Sequence, residues 1–472
     1  MNVSRLIVPA LRWRDDTGFG HESARIDDAL AQGVGGFILF GGTADGVRAL
    51  TTSLAARSRI PLLLAADLER GAGQQFDGLA QVPPPRALAA LGRDDIVRWA
   101  GALTAREARA VGLNWVFAPV ADLDVLAANP IVQTRAFGTE PAVVARCVAE
   151  WVRGCQGAGA LACAKHYPGH GRTTIDSHIA LPSVDASRDV LEREDLVPFR
   201  AAVEAGVASC MTAHVAYPAL DPSGLPATLS PTILGQLRAG GFDGLIVSDA
   251  LIMEGALGGR TEAEAAVQAL AAGVDVLLYP EHPRAVAEEV ERALREGRLA
   301  PSRVAEAIAR VERALELVRT VPESPVRGPS VDEVAAALLE RPLLRGTLPS
   351  LTTPIELVHV DDDLGGPYPA SPSTAVREGL QQLGVPLGTG GSKVVLAFAE
   401  PRAWKGRSGF GAATRALLAE HAPSAALVVL FGHPRLGEEI PAGPPVLVAW
   451  HRQKLMQGAV ARWIAHALGV RA

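Results

Sequence analysis

LACAKHYPGHGRTTIDSHIALP, residues 161–182, is the stretch of the chain that decides the fold. Its first four residues are apolar and indicate a buried strand. The strand leads into a Gly-rich loop that carries three histidines, a lysine and an aspartate. We therefore expect the strand to deliver a chemically active loop to one end of a sheet. The alternative is a surface turn that is rich in histidine by chance.

Within this loop, Asp176 and His178 lie two residues apart. A carboxylate in that position can accept a hydrogen bond from one imidazole nitrogen and leave the other nitrogen free to handle a proton near neutral pH. The pair is therefore a candidate acid/base dyad.

Outward from this stretch, short apolar runs alternate with longer amphipathic ones, which is the pattern of parallel strands joined by helices. Eight runs are strand-like: LIVPAL (6–11), GGFILFG (35–41), PLLLAADL (61–68), NWVFAPVADL (114–123), LACAKHY (161–167), ASCMTAHV (208–215), GLIVSDAL (244–251) and VDVLLYP (274–280). Eight strands with intervening helices predict an α/β protein with an N-terminal TIM-type (β/α)8 barrel rather than an open sheet.

Polar residues follow several of these runs. Asp67, Asp122, His166, His214 and Asp249 each lie at or just past the end of a different apolar run. In a barrel of this type the chemistry gathers at the carboxyl ends of the strands, so these side chains are candidates for one site. The alternative is that the aspartates, Asp122 among them, are N-caps of the following helices.

The remainder of the chain predicts a second domain. Residues 1–320 are expected to form the barrel, residues 321–344 a Pro- and Ser-rich linker, and residues 345–472 a small α/β sandwich domain. The last range contains four strand-like runs, ELVHV, KVVLAFA, ALVVLFG and PVLVAW. It has neither a Gly-x-Gly-x-x-Gly turn nor a Walker-type loop, so a nucleotide role has little support.

The composition restricts the classes of partner. Hydrophobic residues make up 48% of the chain, which is enough for sizeable cores, and the formal net charge is -6. Without a basic field, nucleic acid and membrane surfaces are not expected as partners. A small-molecule substrate is therefore the default, and the oligomeric state is left open.

The amino terminus and the cysteines bear on location. Few apolar residues precede Pro9, which is too short a run for the core of a signal peptide, and no window approaches the roughly 18 apolar residues of a membrane span. We therefore expect a soluble, cytoplasmic protein.

The four cysteines lack the close pairing of a zinc site and are expected to be reduced and buried: Cys147, Cys155, Cys163 and Cys210.

The segment VSDALIMEGA, residues 247–256, places Asp249 where the seventh strand should open into its loop. With the pair Asp176 and His178, it supplies the two roles of retaining glycoside hydrolysis, an anionic nucleophile and a proton donor for the leaving oxygen. Most retaining enzymes use two carboxylic acids. A histidine beside an aspartate can fill the acid role because it titrates near neutral pH without the burial that a glutamate needs.

Other polar residues suit a sugar pocket. Asp67 can accept hydrogen bonds from two hydroxyl groups, and Arg135, Lys165 and His166 can donate to hydroxyl or carbonyl oxygens. For Arg135 the alternative is a solvated or helix-pairing arginine, and for Lys165 and His166 it is a structural role at the strand end.

These residues carry a resemblance to glycoside hydrolase family 3, and specifically to its β-N-acetylglucosaminidase subgroup. The subgroup's loop, KH-aromatic-PGHG followed by DSH, occurs here as KHYPGHGRTTIDSH. The resemblance extends over residues 5–320 and includes NWVFAPVADLD, NPIVQTRAFG, MTAHVAYPALD and VSDALIMEG in the family's order. The family's glucosidase and xylosidase branches generally lack the DSH loop, so its presence favours an N-acetylhexosamine substrate.

The resemblance implies roles for individual residues. It implies that Asp249 is the nucleophile, that His178 is the general acid/base and that Asp176 orients it. It further implies that four residues hold the nonreducing sugar and that neither a cofactor nor a metal is needed. The four are Asp67, Arg135, Lys165 and His166.

The chain departs from the family in two places. The segment after the first strand-end aspartate reads DLERGAGQQF, whereas similar members have a DQEGGRVQR-like run, so the sugar pocket is expected to differ there. The second domain is shorter than the family's usual α/β sandwich.

The leading expectation is an exo-acting retaining β-N-acetylglucosaminidase that forms a glycosyl–Asp249 intermediate and serves muropeptide recycling or the breakdown of chitin fragments. Three alternatives stay open. The first is phosphorolysis of the same glycosides, the second is β-glucosidase or β-xylosidase activity, and the third is a barrel that only binds sugar.

Overall fold

The computed structural model describes residues 2–175, 180–320, 326–341, 343–366 and 370–470. The candidate dyad residues Asp176 and His178 lie outside the described residues. The chain forms two compact units, each built from three stretches. The first unit comprises Met1–Ala80, Arg93–Leu126 and Ala136–Gly328, and the second comprises Gln81–Gly92, Ala127–Arg135 and Pro329–Ala472.

The first unit contains nine short parallel strands among its described residues. These are β1 (Ile7–Val8), β2 (Ala10–Arg12), β3 (Gly36–Phe40), β4 (Leu63–Ala66), β5 (Trp115–Val116), β6 (Leu161–Tyr167), β7 (Ser209–Thr212), β8 (Leu245–Val247) and β9 (Leu277–Leu278). Strands β2 to β8 form one sheet in sequence order.

Hydrogen bonds close this sheet into a ring. β1, which Pro9 separates from β2, pairs in parallel with β9, and Val247 of β8 forms a parallel bridge with Val276 just before β9. With β1 and β2 counted as one interrupted strand, eight strands surround a common core. The predicted (β/α)8 barrel is confirmed, and its strands fall within the eight predicted apolar runs except that β2 continues one residue further, to Arg12.

Helices connect successive strands of the barrel. In the first unit they are α1 (Ser23–Gln32), α2 (Ala44–Arg57), α4 (Asp94–Ala110), α5 (Pro141–Gly157), α6 (Arg188–Val190), α7 (Val197–Glu204), α8 (Pro231–Ala239), α9 (Glu254–Leu257), α10 (Glu262–Ala272), α11 (Pro283–Arg295) and α12 (Pro301–Thr320); α3 (Pro85–Ala90) belongs to the second unit. A wide helical turn over Leu191–Asp195 joins α6 to α7.

One glycine shows how closely the barrel strands approach each other. Gly36 opens β3, and a Cβ atom built on it would lie 1.8 Å from the carbonyl oxygen of Leu63 at the start of β4. No side chain fits at that distance. The glycine therefore permits the pairing that starts the barrel sheet.

The second unit is a four-stranded parallel sheet between helices. Its strands, in spatial order, are β10 (Ile355–Asp361), β11 (Ser392–Ala399), β12 (Leu427–Gly432) and β13 (Val446–Val448), and its remaining helices are α13 (Val331–Leu339), α14 (Ala375–Gln382), α15 (Ala412–His421) and α16 (Lys454–Ala467). Alternate residues of β11 face opposite cores, one with α13, α14 and α16 and the other with α15. This arrangement is the predicted α/β sandwich.

The stretches of chain that form each unit differ from the domain ranges expected from the sequence. Helix α13 lies in the range interpreted as a linker, because its Leu338 and Leu339 are buried in the core of the second unit. Residues 81–92 and 127–135 also belong to this unit. Their contacts include the bond from Gln453 Nε2 to the carbonyl oxygen of Val82, at 2.8 Å.

The four cysteines are reduced and buried, as predicted. Burial raises the pKa of the Cys147 thiol to about 11 and that of the Cys163 thiol to about 12, so neither is a nucleophile near neutral pH. None of the described helices combines the length and the apolar composition that a membrane span requires.

Candidate active site

Lys165 lies at the carboxyl end of β6 and contacts two carboxylates. Its Nζ donates to Oδ1 of Asp67 at 2.6 Å and lies 2.9 Å from Oε1 of Glu69. The side chains of Lys165 and Glu69 are 3% and 4% exposed, whereas that of Asp67 is 28% exposed. A buried ammonium needs such partners to offset its desolvation. Asp67 is the member of this group that a ligand can reach.

Sequence reasoning singled out Asp67 and Lys165 and missed Glu69. The available signal was the spacing D-x-E in DLERG, which puts a second carboxylate two residues after the first. Only the proximity of β4 and β6 makes that carboxylate a partner of Lys165.

Asp122, after β5, organises the residues that follow β6. Its Oδ2 accepts from Nδ1 of His166 at 2.7 Å, and its Oδ1 accepts from the backbone nitrogen of His170 at 2.6 Å. Asp122 has no exposed surface. The N-cap interpretation is therefore wrong for Asp122, because its oxygens accept from the β6 loop and not from a following helix.

The electrostatics of this pair follow from its burial. Burial acts to raise the pKa of Asp122, but His166 and the donors from His170 outweigh it and leave the pKa below its usual range. Burial, followed by the charge of His166, lowers the pKa of His170 to about 4. His170 is thus neutral at pH 7, and its ring, 2.8 Å from Oγ1 of Thr173, helps to shape the loop.

His214, after β7, has a supporting role. It is fully buried, with Nδ1 lying 2.8 Å from Oγ1 of Thr228 and Nε2 lying 3.1 Å from the carbonyl oxygen of Ala250. Because Ala250 follows Asp249 directly, His214 holds the backbone next to the candidate nucleophile.

Asp249 lies two residues beyond the end of β8 and is partly buried. Its Oδ1 accepts from the backbone nitrogen of Ala250 at 2.8 Å. The next helix begins only at Glu254, so Asp249 is not its N-cap. The charge of Asp249 acts to raise the pKa values of His170 and of Cys163, and Asp67 acts on Cys163 in the same direction. Asp249 therefore shares the electrostatic environment of the strand-end cluster.

The other predicted site residues are placed differently. Arg135 belongs to the second unit, where its guanidinium donates to the carbonyl oxygen of Ile131 at 3.1 Å. Asp176 and His178 lie outside the described residues. Of the residues that the sequence singled out, the structure joins Lys165 to Asp67 and His166 to Asp122, and it places His214 against the backbone beside Asp249. Glu69 is the residue that the structure adds.

Nothing in the described part of the chain brings three or more His, Cys, Asp or Glu side chains into an arrangement that could hold a metal ion.

Comparison with known proteins identifies relatives of this chain. Residues 21–314 match the model of the glycosyl hydrolase family 3 N terminal domain. A β-N-acetylglucosaminidase/β-glucosidase of Cellulomonas fimi is 38% identical over 59% of this chain and 51% of that protein. A β-hexosaminidase of Alkalilimnicola ehrlichii is 40% identical over 54% of this chain and 75% of that protein. The chain thus spans about half the length of the first relative and three quarters of the second.

Solved structures resemble both units. A family 3 β-N-acetylglucosaminidase from Paenibacillus sp. has a TM-score of 0.84 and 27% sequence identity, over 100% of this chain and 96% of that chain. The β-glucoside phosphorylase BglX has a TM-score of 0.82 at 22% identity, over 100% of this chain and 91% of that chain. At this level of sequence identity, the similarity to BglX shows only that the two proteins share a fold.

Proposed function

The chain belongs to glycoside hydrolase family 3, and from this premise we propose that it is a retaining, exo-acting β-N-acetylglucosaminidase. The observation that carries the proposal is the polar cluster at the carboxyl ends of β4, β5 and β6, where Lys165 contacts Asp67 and His166 contacts Asp122. Asp249 follows β8 of the same sheet. The β-hexosaminidase relatives and the Paenibacillus structure support the same substrate class.

The mechanism assigns the first bond change to Asp249. Its carboxylate attacks the anomeric carbon and displaces the aglycone, so that a glycosyl–Asp249 ester forms as the glycosidic bond breaks. His178, oriented by Asp176, gives its proton to the departing oxygen. In the second half, His178 takes a proton from water, and the resulting hydroxide releases the sugar and restores the Asp249 carboxylate.

The sugar is held by groups that the barrel organises. Asp67 accepts from sugar hydroxyls while Lys165 neutralises part of its charge, and His166 offers the sugar the ring nitrogen that does not bind Asp122. Arg135 enters this proposal through the family resemblance.

The physiological part of the proposal is muropeptide recycling or the breakdown of chitin fragments in the cytoplasm. Both processes present a terminal β-linked N-acetylglucosamine to an exo-acting enzyme. The aglycone is the part of the substrate on which the two processes differ.

β-Glucosidase activity is the second candidate, because the Cellulomonas fimi relative is named for both activities. The altered DLERGAGQQF segment next to the sugar cluster gives a physical reason for a changed substrate preference. Phosphorolysis of the same glycosides is the third, since a neutral histidine repels an incoming phosphate less than a glutamate does.

The test is the rate of nitrophenol release from the β-N-acetylglucosaminide, the β-glucoside and the β-xyloside, each with and without phosphate. Preference for the acetamido sugar supports the proposal, and acceleration by phosphate with formation of a sugar phosphate would replace hydrolysis by phosphorolysis. Binding of sugar without turnover of any aryl glycoside would leave a sugar-binding protein.

A further inference from the structure

The loop that leaves β6 is tied to the segment before α7 by a buried ion pair. Nε of Arg172 donates to Oδ2 of Asp195 at 2.7 Å, and a second guanidinium nitrogen donates to Glu194. The side chain of Asp195 is 1% exposed, that of Arg172 22% and that of Glu194 40%. Arg172 stands four residues before Asp176 in the chain.

The same loop is fixed at its start. The hydroxyl of Tyr217 donates to the carbonyl oxygen of Gly169 at 2.8 Å. A Cβ atom built on Gly171 would lie 1.8 Å from the carbonyl oxygen of Leu123, so the backbone there is in close contact with the segment after β5. Contacts at Gly169, Gly171 and Arg172 therefore fix the first part of the loop against neighbouring segments.

A local irregularity explains why Asp195 faces this loop. Residues Leu191–Asp195 form a wide helical turn, in which the backbone nitrogen of Leu196 donates to the carbonyl oxygen of Leu191 at 2.9 Å. Such turns contain an extra residue and are frequent at functional sites. Leu191 and Asp195 are the buried residues of this turn.

The ion pair contains a carboxylate whose charge is disfavoured by burial. Burial raises the pKa of Asp195 to about 6 even though Arg172 acts to lower it. At neutral pH the folded protein therefore holds a carboxylate that burial disfavours. Buried ion pairs are often neutral or costly for stability relative to uncharged replacements, so their retention calls for another role.

We propose that Asp195 is a positioning residue that acts through Arg172 to hold the β6 loop in the course that protonation of the leaving group requires. The proposal rests on the proposed function, because the acid/base pair that the loop carries is part of it. Because its side chain is buried, Asp195 is not placed to contact substrate. It acts by holding the guanidinium of Arg172, and so the backbone of the loop at that residue.

The experiment compares Asp195→Asn with the wild-type enzyme on two substrates. The value of kcat/KM covers the steps up to cleavage of the glycosidic bond, so it isolates the proton donation. We expect a loss of about tenfold or more on N,N′-diacetylchitobiose, whose leaving group needs a proton, and of less than about threefold on the dinitrophenyl glycoside, whose leaving group does not. Asp195→Glu should recover part of the loss because it keeps the carboxylate.

The matched control is Glu192→Gln, which lies on the same turn, is half exposed and pairs with Arg188. It should leave both substrates unchanged. The Tm of Asp195→Asn at pH 8 should equal or exceed that of the wild type. Equal losses on both substrates, losses that parallel a fall in Tm, or the same losses in the control would overturn the proposal.

This outcome is separable from failure of the proposed function. If the wild-type enzyme cleaves no N-acetylglucosaminide, the proposed function fails, and the comparison moves to whichever sugar the enzyme does cleave. If it cleaves the N-acetylglucosaminide and Asp195→Asn does not discriminate between leaving groups, only the positioning role fails.

Discussion

Oδ2 of Asp122 lies 2.7 Å from Nδ1 of His166, and both side chains are buried. The pair joins the segment after β5 to β6. Lys165 and Asp67 form a second such link between strands, in which a buried ammonium contacts a partly exposed carboxylate.

Replacing Asp122 with Ala should therefore weaken both sugar binding and the fold. The donors from His166 and His170 would lose their acceptor inside the protein, which costs about 1–3 kcal/mol for each unsatisfied buried group. We expect a higher KM and a lower free energy of unfolding, measured by steady-state kinetics and urea titration. Asp94→Ala, which removes a half-exposed partner of Arg146, serves as the control. An unchanged KM would argue against the role of His166 in binding.

Replacing Glu69 with Ala should affect Lys165 without removing its contact with Asp67. The ammonium would then depend more strongly on its ion pair with Asp67, and Asp67 would be drawn further from the sugar hydroxyls. We expect KM to rise more than kcat falls, by about tenfold if one charge-assisted hydrogen bond is weakened. Glu69→Gln keeps an acceptor and should show a smaller rise. If both variants had the KM and kcat of the wild type, Glu69 would have no role in sugar binding.

Asp249→Ala should abolish turnover and keep the fold, because removal of a partly exposed carboxylate opens no core cavity. The remaining barrel should still bind sugar. Azide should restore cleavage of an activated aryl glycoside and yield a glycosyl azide of inverted configuration, since it can occupy the position of the missing carboxylate. Rates like those of the wild type would discard Asp249 as the nucleophile.

The pH dependence of the Asp195 effect follows from its pKa of about 6. Its charged neighbours are Arg172 from the β6 loop and Glu194 from its own turn, and Tyr217 is its titratable neighbour from the segment after β7. Below pH 6 the wild-type side chain is itself neutral, so the activity ratio of wild type to Asp195→Asn should fall toward one. A ratio that stays constant between about pH 5 and pH 8 would contradict this.

The same pKa sets the direction of a stability change. Because the folded pKa lies above the unfolded value, this group binds a proton more tightly in the folded state. The contribution of Asp195 to the free energy of unfolding is fully present below the unfolded pKa and is lost as the pH rises through about 6. Relative to Asp195→Asn, the wild type should therefore lose up to about 3 kcal/mol between pH 4 and pH 7. Urea titrations of both proteins at the two pH values measure this difference.

Asp275 should be important for stability and not for catalysis. It is fully buried at the start of the last barrel strand and pairs with Arg238, Arg303 and Arg310. Asp275→Ala would leave three guanidinium groups without their shared carboxylate, which should cost about 3–5 kcal/mol. Guanidinium unfolding measures the loss, and Asp189→Ala, which removes an exposed partner of Arg193 away from this cluster, is the control. A loss below that of the control would show that the arginines find other partners.

Local patterns in the sequence were sufficient to predict the strands of both sheets. Whether a segment becomes a strand or a helix depends mainly on its own periodicity of apolar residues, which can be read from a single stretch. The prediction failed where composition misled it, at helix α13. Its flanking Pro and Ser residues suggest a linker, but its leucines pack against α16 from the far end of the chain.

The sequence by itself determined the barrel, the family and the residues at the strand ends, because these depend on short motifs and on periodicity. Only the tertiary structure decided which side chains became partners. Lys165 and Asp67 are 98 residues apart in the chain, His166 and Asp122 are 44 apart, and Arg172 and Asp195 are 23 apart. Closure of the sheet brings such residues together, and burial then sets their charges, since the cost of a buried charge depends on neighbours that no local pattern identifies.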